Sequence, residues 1–271
     1  MKVAFQGENG AYSEAAVFEY YGETVETFPC ESFDLVFAAV DSGKVDCGVI
    51  PVENSVAGSI HRNYDLLLQN KLWVIGEHYL HVSHCLIGLP GTEPSTITRV
   101  ISHPQALAQC ENYLRSLNVI TEAVYDTAGS VKMVRELGNP NLAAIASRRA
   151  ANLYGMNILA EHIEDNPANF TRFQVISRDP VQPTENAKTS IVFSLKNYAG
   201  SLFRALSAFA LRDIDLTKIE SRPLLGKPFE YYFYIDLVGS TNDPVVQRAL
   251  AHLQEYALFL RILGSYPRSK P

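Results

Sequence analysis

At 271 residues, 47% apolar and 19% charged, the chain is long enough for two domains with an ample core and is ordinary in composition for a globular protein. Its net charge of −6 argues against nucleic acid as a partner, because phosphate binding needs a basic face. No apolar run approaches the ~18 residues of a membrane span. The N-terminus enters a strand at once and leaves no room for a signal peptide, so the expected location is cytoplasmic.

Residues 2–6 read as a strand, and Gly7-Glu8-Asn9-Gly10 turns into a helix near Ser13. Ser32 can cap a second helix over 33–40, ahead of a buried strand over 47–52. A helix pattern covers 64–69, and strand-like runs follow at 73–75 and 77–86. The unit then repeats. Residues 100–102 end a strand, Pro104 suits the first turn of a helix over 105–116, and 119–125 is a strand. Thr127-Ala128-Gly129-Ser130 opens a helix over 131–137, and 143–146 is a strand. Ser147 starts a helix over 148–154 that Gly155 stops, and 158–163 completes the set. This alternation predicts α/β layering with largely parallel sheets. The number of units predicts two lobes with a cleft between them, 1–76 with 166–180 and 77–165, together making a domain over 1–180.

The stretch 181–187 is proline-containing and without apolar period, and reads as a linker. Beyond it the pattern is strand (189–195), helix (202–211), strand (215–221), strand (230–238), helix (245–257) and short strand (258–263). That βαββαβ order predicts a ferredoxin-like second domain over 188–266.

In the first half, polar clusters recur where a strand ends and a helix begins: Gly7 to Ser13, Glu53-Asn54-Ser55, Ser102-His103-Pro104-Gln105 and Asp126 to Ser130. Ligands of open α/β sheets bind at this edge, and helix N-termini there favour anions. The first cluster lacks G-x-G-x-x-G spacing, so a dinucleotide reading fails. Gln105 and Gln109, four apart, share a helix face. His78, His81 and His84 suggest metal, but on one strand 78 and 84 face one way and 81 the other. Cys30, Cys47, Cys85 and Cys110 form no C-x-x-C pair. No metal site is expected. Asn169-Phe170-Thr171-Arg172-Phe173 places a hydroxyl beside a guanidinium where a loop enters a sheet, which can set one proton donor and one anion anchor in a partly dry pocket.

Taken in order, Gly7 to Ser13, Pro51-Val52-Glu53-Asn54-Ser55, Ser102-His103-Pro104-Gln105, Asp126-Thr127-Ala128 and Asn169 to Phe173 closely resemble the prephenate dehydratase family, which includes the arogenate dehydratases. Gly200-Ser201-Leu202 and Glu220-Ser221-Arg222-Pro223 resemble the motifs of its C-terminal regulatory ACT domain, with Ser201 where the family usually has alanine. Two stretches, 59–65 and 218–223, also resemble the plant arogenate enzymes, so the substrate stays open between prephenate and arogenate.

The resemblance implies a periplasmic-binding-protein-like catalytic domain with a central cleft and a cofactor-free reaction. Prephenate loses its ring carboxylate as CO2 and its 4-hydroxyl as water, giving phenylpyruvate. The family's proton donor matches Thr171; a threonine hydroxyl is a very weak acid, so a positioned hydrogen-bond donor is the expected role. Arg172 would anchor a substrate carboxylate, with Phe173 beside it. Asn54, Ser55, Ser102 and Thr127 would hold polar ends, and Glu53 and Gln109 would tune or relay the proton, although a carboxylate at Glu53 repels a dianion unless protonated or turned away. The resemblance further implies phenylalanine as effector at Gly200, Ser201, Leu202, Glu220, Ser221, Arg222 and Pro223, a homodimer through ACT domains, and a dimer of dimers. A two-lobed small-anion binding protein with an amino-acid sensor domain is the non-enzymatic alternative.

Overall fold

Apolar runs punctuated by capping residues and glycines set the elements. The computed structural model describes residues 1–183, 185–224 and 226–270; Thr184, inside the stretch read as a linker, lies outside the described residues. In chain order the elements are β1 (Lys2–Gln6), α1 (Tyr12–Tyr21), β2 (Glu26–Cys30), α2 (Phe33–Asp41), β3 (Cys47–Asn54), β4 (Gly58–Ser59), α3 (His61–Gln69) and β5 (Trp73–His81). Then come β6 (Cys85–Gly88), β7 (Arg99–Ser102), α4 (Pro104–Gln109), α5 (Glu111–Leu117), β8 (Ile120–Ala123), α6 (Thr127–Leu137), β9 (Leu142–Ala146), α7 (Arg148–Tyr154), β10 (Asn157–Ala160) and β11 (Phe170–Ser177). The C-terminal series is β12 (Ala187–Leu195), α8 (Ser201–Ala210), β13 (Leu216–Pro223), β14 (Tyr231–Val238), α9 (Pro244–Tyr256) and β15 (Ala257–Pro267).

These elements pack as two units, Met1–Ile60 with His78–Phe173 and His61–Glu77 with Gln174–Lys270, so the division falls within β5 and β11. The first unit is α/β and two-lobed. One sheet has the order β2-β1-β3-β11-β5, with β1 parallel to both β2 and β3. The other has the order β10-β6-β9-β7-β8 and is mixed: β7 runs parallel to β8 and β9, whereas β6 is antiparallel to β9 and β10. That mixture corrects the expectation of largely parallel sheets. Within this unit the Gly7-to-Ser13 turn joins the lobes. Ser147 Oγ donates to the Gly10 carbonyl at 2.8 Å and Tyr154 OH to that of Asn9 at 3.1 Å. Gly10 has φ +92°, and a Cβ there would lie 3.0 Å from Ala150 Cα, so the position requires glycine twice over.

The helix expected over 105–116 is broken. Cys110 leaves helical geometry (φ −121°, ψ 24°) between α4 and α5. The cause is tertiary: the Gln109 carbonyl accepts the Asp165 N–H at 2.7 Å, and the Asp165 carboxylate takes up the Asn112 N–H at 3.2 Å, recapping the chain. A second departure concerns the histidines. The strand expected over 77–86 ends at His81, so His84 stands outside β5 and the shared face with His78 is lost.

The second unit has the βαββαβ order and an antiparallel sheet β13-β14-β12-β15, a ferredoxin-like fold. Helices α8 and α9 bury Ala205, Phe209, Val246 and Leu253 against Ile191, Phe193, Ile235 and Leu237 of the sheet. β15 is longer than expected because it pairs with β12 from Leu195↔Ala257 to Ala187↔Pro267. β13 likewise runs to Pro223, a position an edge strand tolerates. Residues 61–77 pack into this unit. Arg222 reaches Asp65 at 2.8 Å, the Arg261 guanidinium donates to the carbonyls of Leu67, Leu68, Asn70 and Leu72 beyond and within the last turn of α3, and Lys188 meets Glu77 at 2.7 Å with both side chains buried.

Candidate active site

Four strand-to-helix edges of the first unit converge on a cavity of about 560 Å³. Its wall takes Tyr12 and Ser13 from α1, Glu31, Ser32 and Asp34 around the start of α2, and Asn54 from the end of β3. The other lobe contributes His103, Gln105 and Gln109 from the α4 region and Tyr125, Asp126 and Thr127 at the start of α6; Thr171 and Phe173 come from β11, and His84 from the connection before β6. Ser32 and Asp126 cap α2 and α6 through the Leu35 and Gly129 N–H groups, so those helices present their positive ends to this wall.

Thr171 and Phe173 face the cavity because successive strand residues alternate sides. The same alternation corrects the expectation for Arg172, which is buried off the cavity wall and does not stand beside the hydroxyl. Among the described lining residues there is no lysine or arginine, so an anion there is met by helix N-termini and neutral donors, with the carboxylates of Glu31, Asp34 and Asp126 on the same wall.

The hydrogen-bond directions around Thr171 can be deduced from two backbone amides. Val56 and Ala57 donate their N–H groups to Asn54 Oδ1 at 3.0 and 2.8 Å, which fixes the Asn54 amide. Its Nδ2 must then donate, its two hydrogens shared among Asn169 Oδ1 at 2.7 Å, Thr171 Oγ1 at 3.0 Å and the Phe170 carbonyl at 3.2 Å. With its oxygen accepting from Asn54, the Thr171 hydroxyl has its own proton free for a cavity ligand. Asn169 in turn donates to Gln109 Oε1 at 3.2 Å, and Gln109 donates weakly to Asn54 Oδ1 at 3.5 Å. The helix break at Cys110 is therefore next to the residue that closes this ring of amides.

Of the remaining expected site residues, Ser55, Ser102 and Glu53 are absent from the wall. Ser55 Oγ donates to the Ala168 carbonyl at 2.8 Å and accepts the Phe170 N–H at 2.9 Å, stapling the chain just before Thr171. Ser102 is fully buried and donates to the Ile145 carbonyl at 2.6 Å, which corrects its expected contact with substrate. Glu53 is paired opposite Ser59 in the β3–β4 ladder and is absent from the wall, as strand alternation with Asn54 requires. Thr127 is on the wall at the first position of α6. Asp126 is buried there, and burial raises its carboxyl pKa from 3.8.

Sequence reasoning assigned no site role to Tyr12, His84 or Asn169. Tyr12 OH lies 2.8 Å from His84 Nδ1, and His84 Nε2 lies 2.9 Å from Gln109 Oε1. Burial lowers the His84 pKa, opposed by the Gln109 hydrogen bond and the Glu164 charge. Of the other two histidines, His78 pairs with Glu19 and His81 with the Pro167 carbonyl, so the three do not converge. Among the described residues no His, Cys, Asp and Glu cluster could hold a metal ion, and all four cysteines are buried thiols.

In the second unit, Gly200 caps α8 at φ +82°, with Ser201 and Leu202 in its first turn. Glu220, Ser221, Arg222 and Pro223 lie in the edge strand β13. Glu220 is 3.3 Å from His61 and 3.7 Å from Lys218, while Arg222 is engaged by Asp65.

The family model for prephenate dehydratase matches residues 3–181. The chain belongs to the prephenate dehydratase family. A relative from Arabidopsis thaliana, "Arogenate dehydratase/prephenate dehydratase 2, chloroplastic", is 51% identical over 98% of this chain and 73% of its own length. A prephenate dehydratase from Arthrobacter aurescens, solved in complex with L-Phe, superposes with TM-score 0.91 at 33% identity, covering 99% of this chain and 90% of its own. A quorum-quenching acylase, GqqA, superposes with TM-score 0.92 at 36% identity over 99% and 98% of the two chains. Family membership makes this chain a dehydratase, a carbon–oxygen lyase of phenylalanine biosynthesis. Because an acylase shares the architecture, the details of its chemistry are argued from the cavity. The cytoplasmic location expected from the sequence is overturned by the relatives named chloroplastic.

Proposed function

We propose that this dehydratase converts prephenate to phenylpyruvate without a cofactor. The ring C–C bond to the carboxylate breaks, CO2 leaves, and its electron pair enters the ring as the 4-hydroxyl departs as hydroxide, hydrogen-bonded by Thr171 and taking up a proton from solvent to become water. Aromatisation drives the step, so the enzyme must ease hydroxide departure and hold the substrate in register. The observation that carries this reading is the Thr171 hydroxyl, whose oxygen accepts from Asn54 and whose proton is left for the cavity. Asn54 and Gln109 orient it, Thr127 and the N-termini of α2 and α6 receive the substrate's carboxylates, and Phe173 packs against the ring. Arg172, Ser55, Ser102 and Glu53 support the wall from behind.

A second reading, arogenate as substrate, is favoured by the carboxylates of Glu31, Asp34 and Asp126 on a wall without lysine or arginine among its described residues. Arogenate carries an ammonium where prephenate has a keto oxygen, and a carboxylate beside it would be attractive. The relatives named arogenate dehydratase agree with this reading. Comparing kcat/KM for the two substrates in wild type, Glu31→Gln and Asp34→Asn decides. Selective loss on arogenate supports the second reading, preference for prephenate unaltered by either change supports the first, and no turnover of either substrate refutes both.

We further propose catalytic residues 1–180, with lobes 1–76 plus 166–180 and 77–165, a linker at 181–187, and an ACT regulatory domain at 188–266 that binds phenylalanine and pairs subunits into a dimer of dimers. The L-Phe complex of the Arthrobacter relative and the ferredoxin-like topology support this. Ser221 is the position to change, because Gly200 sits at φ +82° and any replacement there strains the start of α8. Ser221→Ala should relieve phenylalanine inhibition with basal kcat retained; inhibition equal to wild type would remove Ser221 from the effector site.

A further inference from the structure

The amide ring around Thr171 continues past Gln109 to two residues deeper in the wall. Asn54 Nδ2 donates to Asn169 Oδ1, so Asn169 Nδ2 is the donor to Gln109 Oε1. Gln109 Oε1 is then an acceptor, and His84 Nε2, 2.9 Å away, must carry a proton and donate to it. Both lone pairs of that oxygen are filled, and the glutamine amide has one orientation. His84 Nδ1 is left as the acceptor for Tyr12 OH at 2.8 Å. The Ser83 carbonyl, 2.7 Å from the same hydroxyl, is its alternative acceptor. His84 is itself held, since its backbone N–H donates to Glu164 Oε2 at 2.8 Å and its ring meets Tyr12 edge-on at 5.4 Å. Both side chains also line the cavity. One network of defined hydrogen-bond directions therefore joins His84, Gln109, Asn169, Asn54 and Thr171, with the Tyr12 hydroxyl shared between His84 Nδ1 and the Ser83 carbonyl at its far end.

We propose that His84, held by Tyr12, is a positioning residue for the reaction: it fixes the Gln109 amide and through it the ring that aims the Thr171 proton at the substrate. The role rests on Thr171 being the donor to the leaving hydroxyl. His84 acts through Nε2–H, and no proton is transferred from it. A glutamine at 84 can place an amide N–H where Nε2 stands. An asparagine reaches only the Nδ1 position, and a leucine reaches neither. Without the His84 donor, Gln109 can turn over, present its NH2 to Asn169, and release the order of the ring.

The test is steady-state kinetics of His84→Leu, His84→Asn, His84→Gln, Tyr12→Phe and Thr171→Val, with thermal melting to confirm that each is folded. The expected result for Leu and Asn is a fall in kcat of roughly 10- to 100-fold, the scale of a misplaced reacting group, with KM close to wild type. Gln should recover most of the loss, and Tyr12→Phe should lose only a few-fold, about one net hydrogen bond. Equal kcat for the Leu, Asn and Gln variants, or wild-type kcat in a folded His84→Leu, would overturn the positioning role. If Thr171→Val is inactive while His84→Leu is normal, only this role fails. Should Thr171→Val be normal, the donor reading beneath it fails first.

Discussion

The wall around Thr171 and the dock of residues 61–77 in the C-terminal unit are both polar, yet they are held by opposite means. Around Thr171 the partners are amides, hydroxyls and one imidazole, ordered from two backbone N–H groups. In the dock they are full charges: Arg222 on Asp65, Lys188 on a buried Glu77, and Arg261 on carbonyls at the end of α3, where a cation suits the helix dipole. Neutral dipoles of fixed direction suit a site that must orient a proton without competing for an anionic substrate. Charges suit a contact that must hold one geometry, because leaving either partner buried alone is costly.

Breaking the buried pair should have the largest effect on stability. Lys188→Met or Glu77→Gln is expected to cost about 3–5 kcal/mol in urea unfolding, and the double Lys188→Met/Glu77→Leu should recover much of it. A double variant no better than the singles would mean that packing, rather than the stranded charge, sets the cost. Arg261→Ala should come next, at about 1.5–3 kcal/mol, because carbonyls of Leu67, Leu68, Asn70 and Leu72 lose a charged donor. Arg261→Lys should restore only part, since an ammonium lacks the planar fork; full restoration would reduce the contact to charge alone.

The smallest effect tests the cavity side through Asp126. Burial, aided by Glu8, raises its folded pKa above 3.8, so its favourable contribution is complete below that value and is lost as pH rises through the folded pKa. Asp126→Asn keeps a side-chain oxygen for the Gly129 N–H. Its stability relative to wild type should therefore improve as pH climbs from about 3.8 and then level off. A gap that stays constant with pH would show that Asp126 does not ionise against its surroundings.

Much of this was legible in the chain. The ordered motifs locate the cavity because capping residues and glycines mark strand-to-helix edges, and the βαββαβ order follows from apolar periodicity alone. Arg172 is instructive: adjacency to Thr171 in sequence, once the segment is a strand, means opposite faces. Gln109 and Asn54 could be named but not joined, since the join depends on the break at Cys110 that Asp165 imposes from more than 50 residues away. His84 was hidden by a strand-like run that ends three residues short of it. The packing of 61–77 with the C-terminal unit depends on Arg222 and Arg261, which nothing local to α3 announces.

The central claim is that Thr171 acts by a hydroxyl proton aimed into the cavity. Turnover at saturating substrate in Thr171→Val, which keeps the shape and removes the hydroxyl, tests it most directly. The expected result is a kcat roughly 10²- to 10³-fold below wild type, the scale of losing one preorganised donor, with KM little changed and Thr171→Ser retaining most of the activity. A folded Thr171→Val enzyme turning over at the wild-type rate would contradict it.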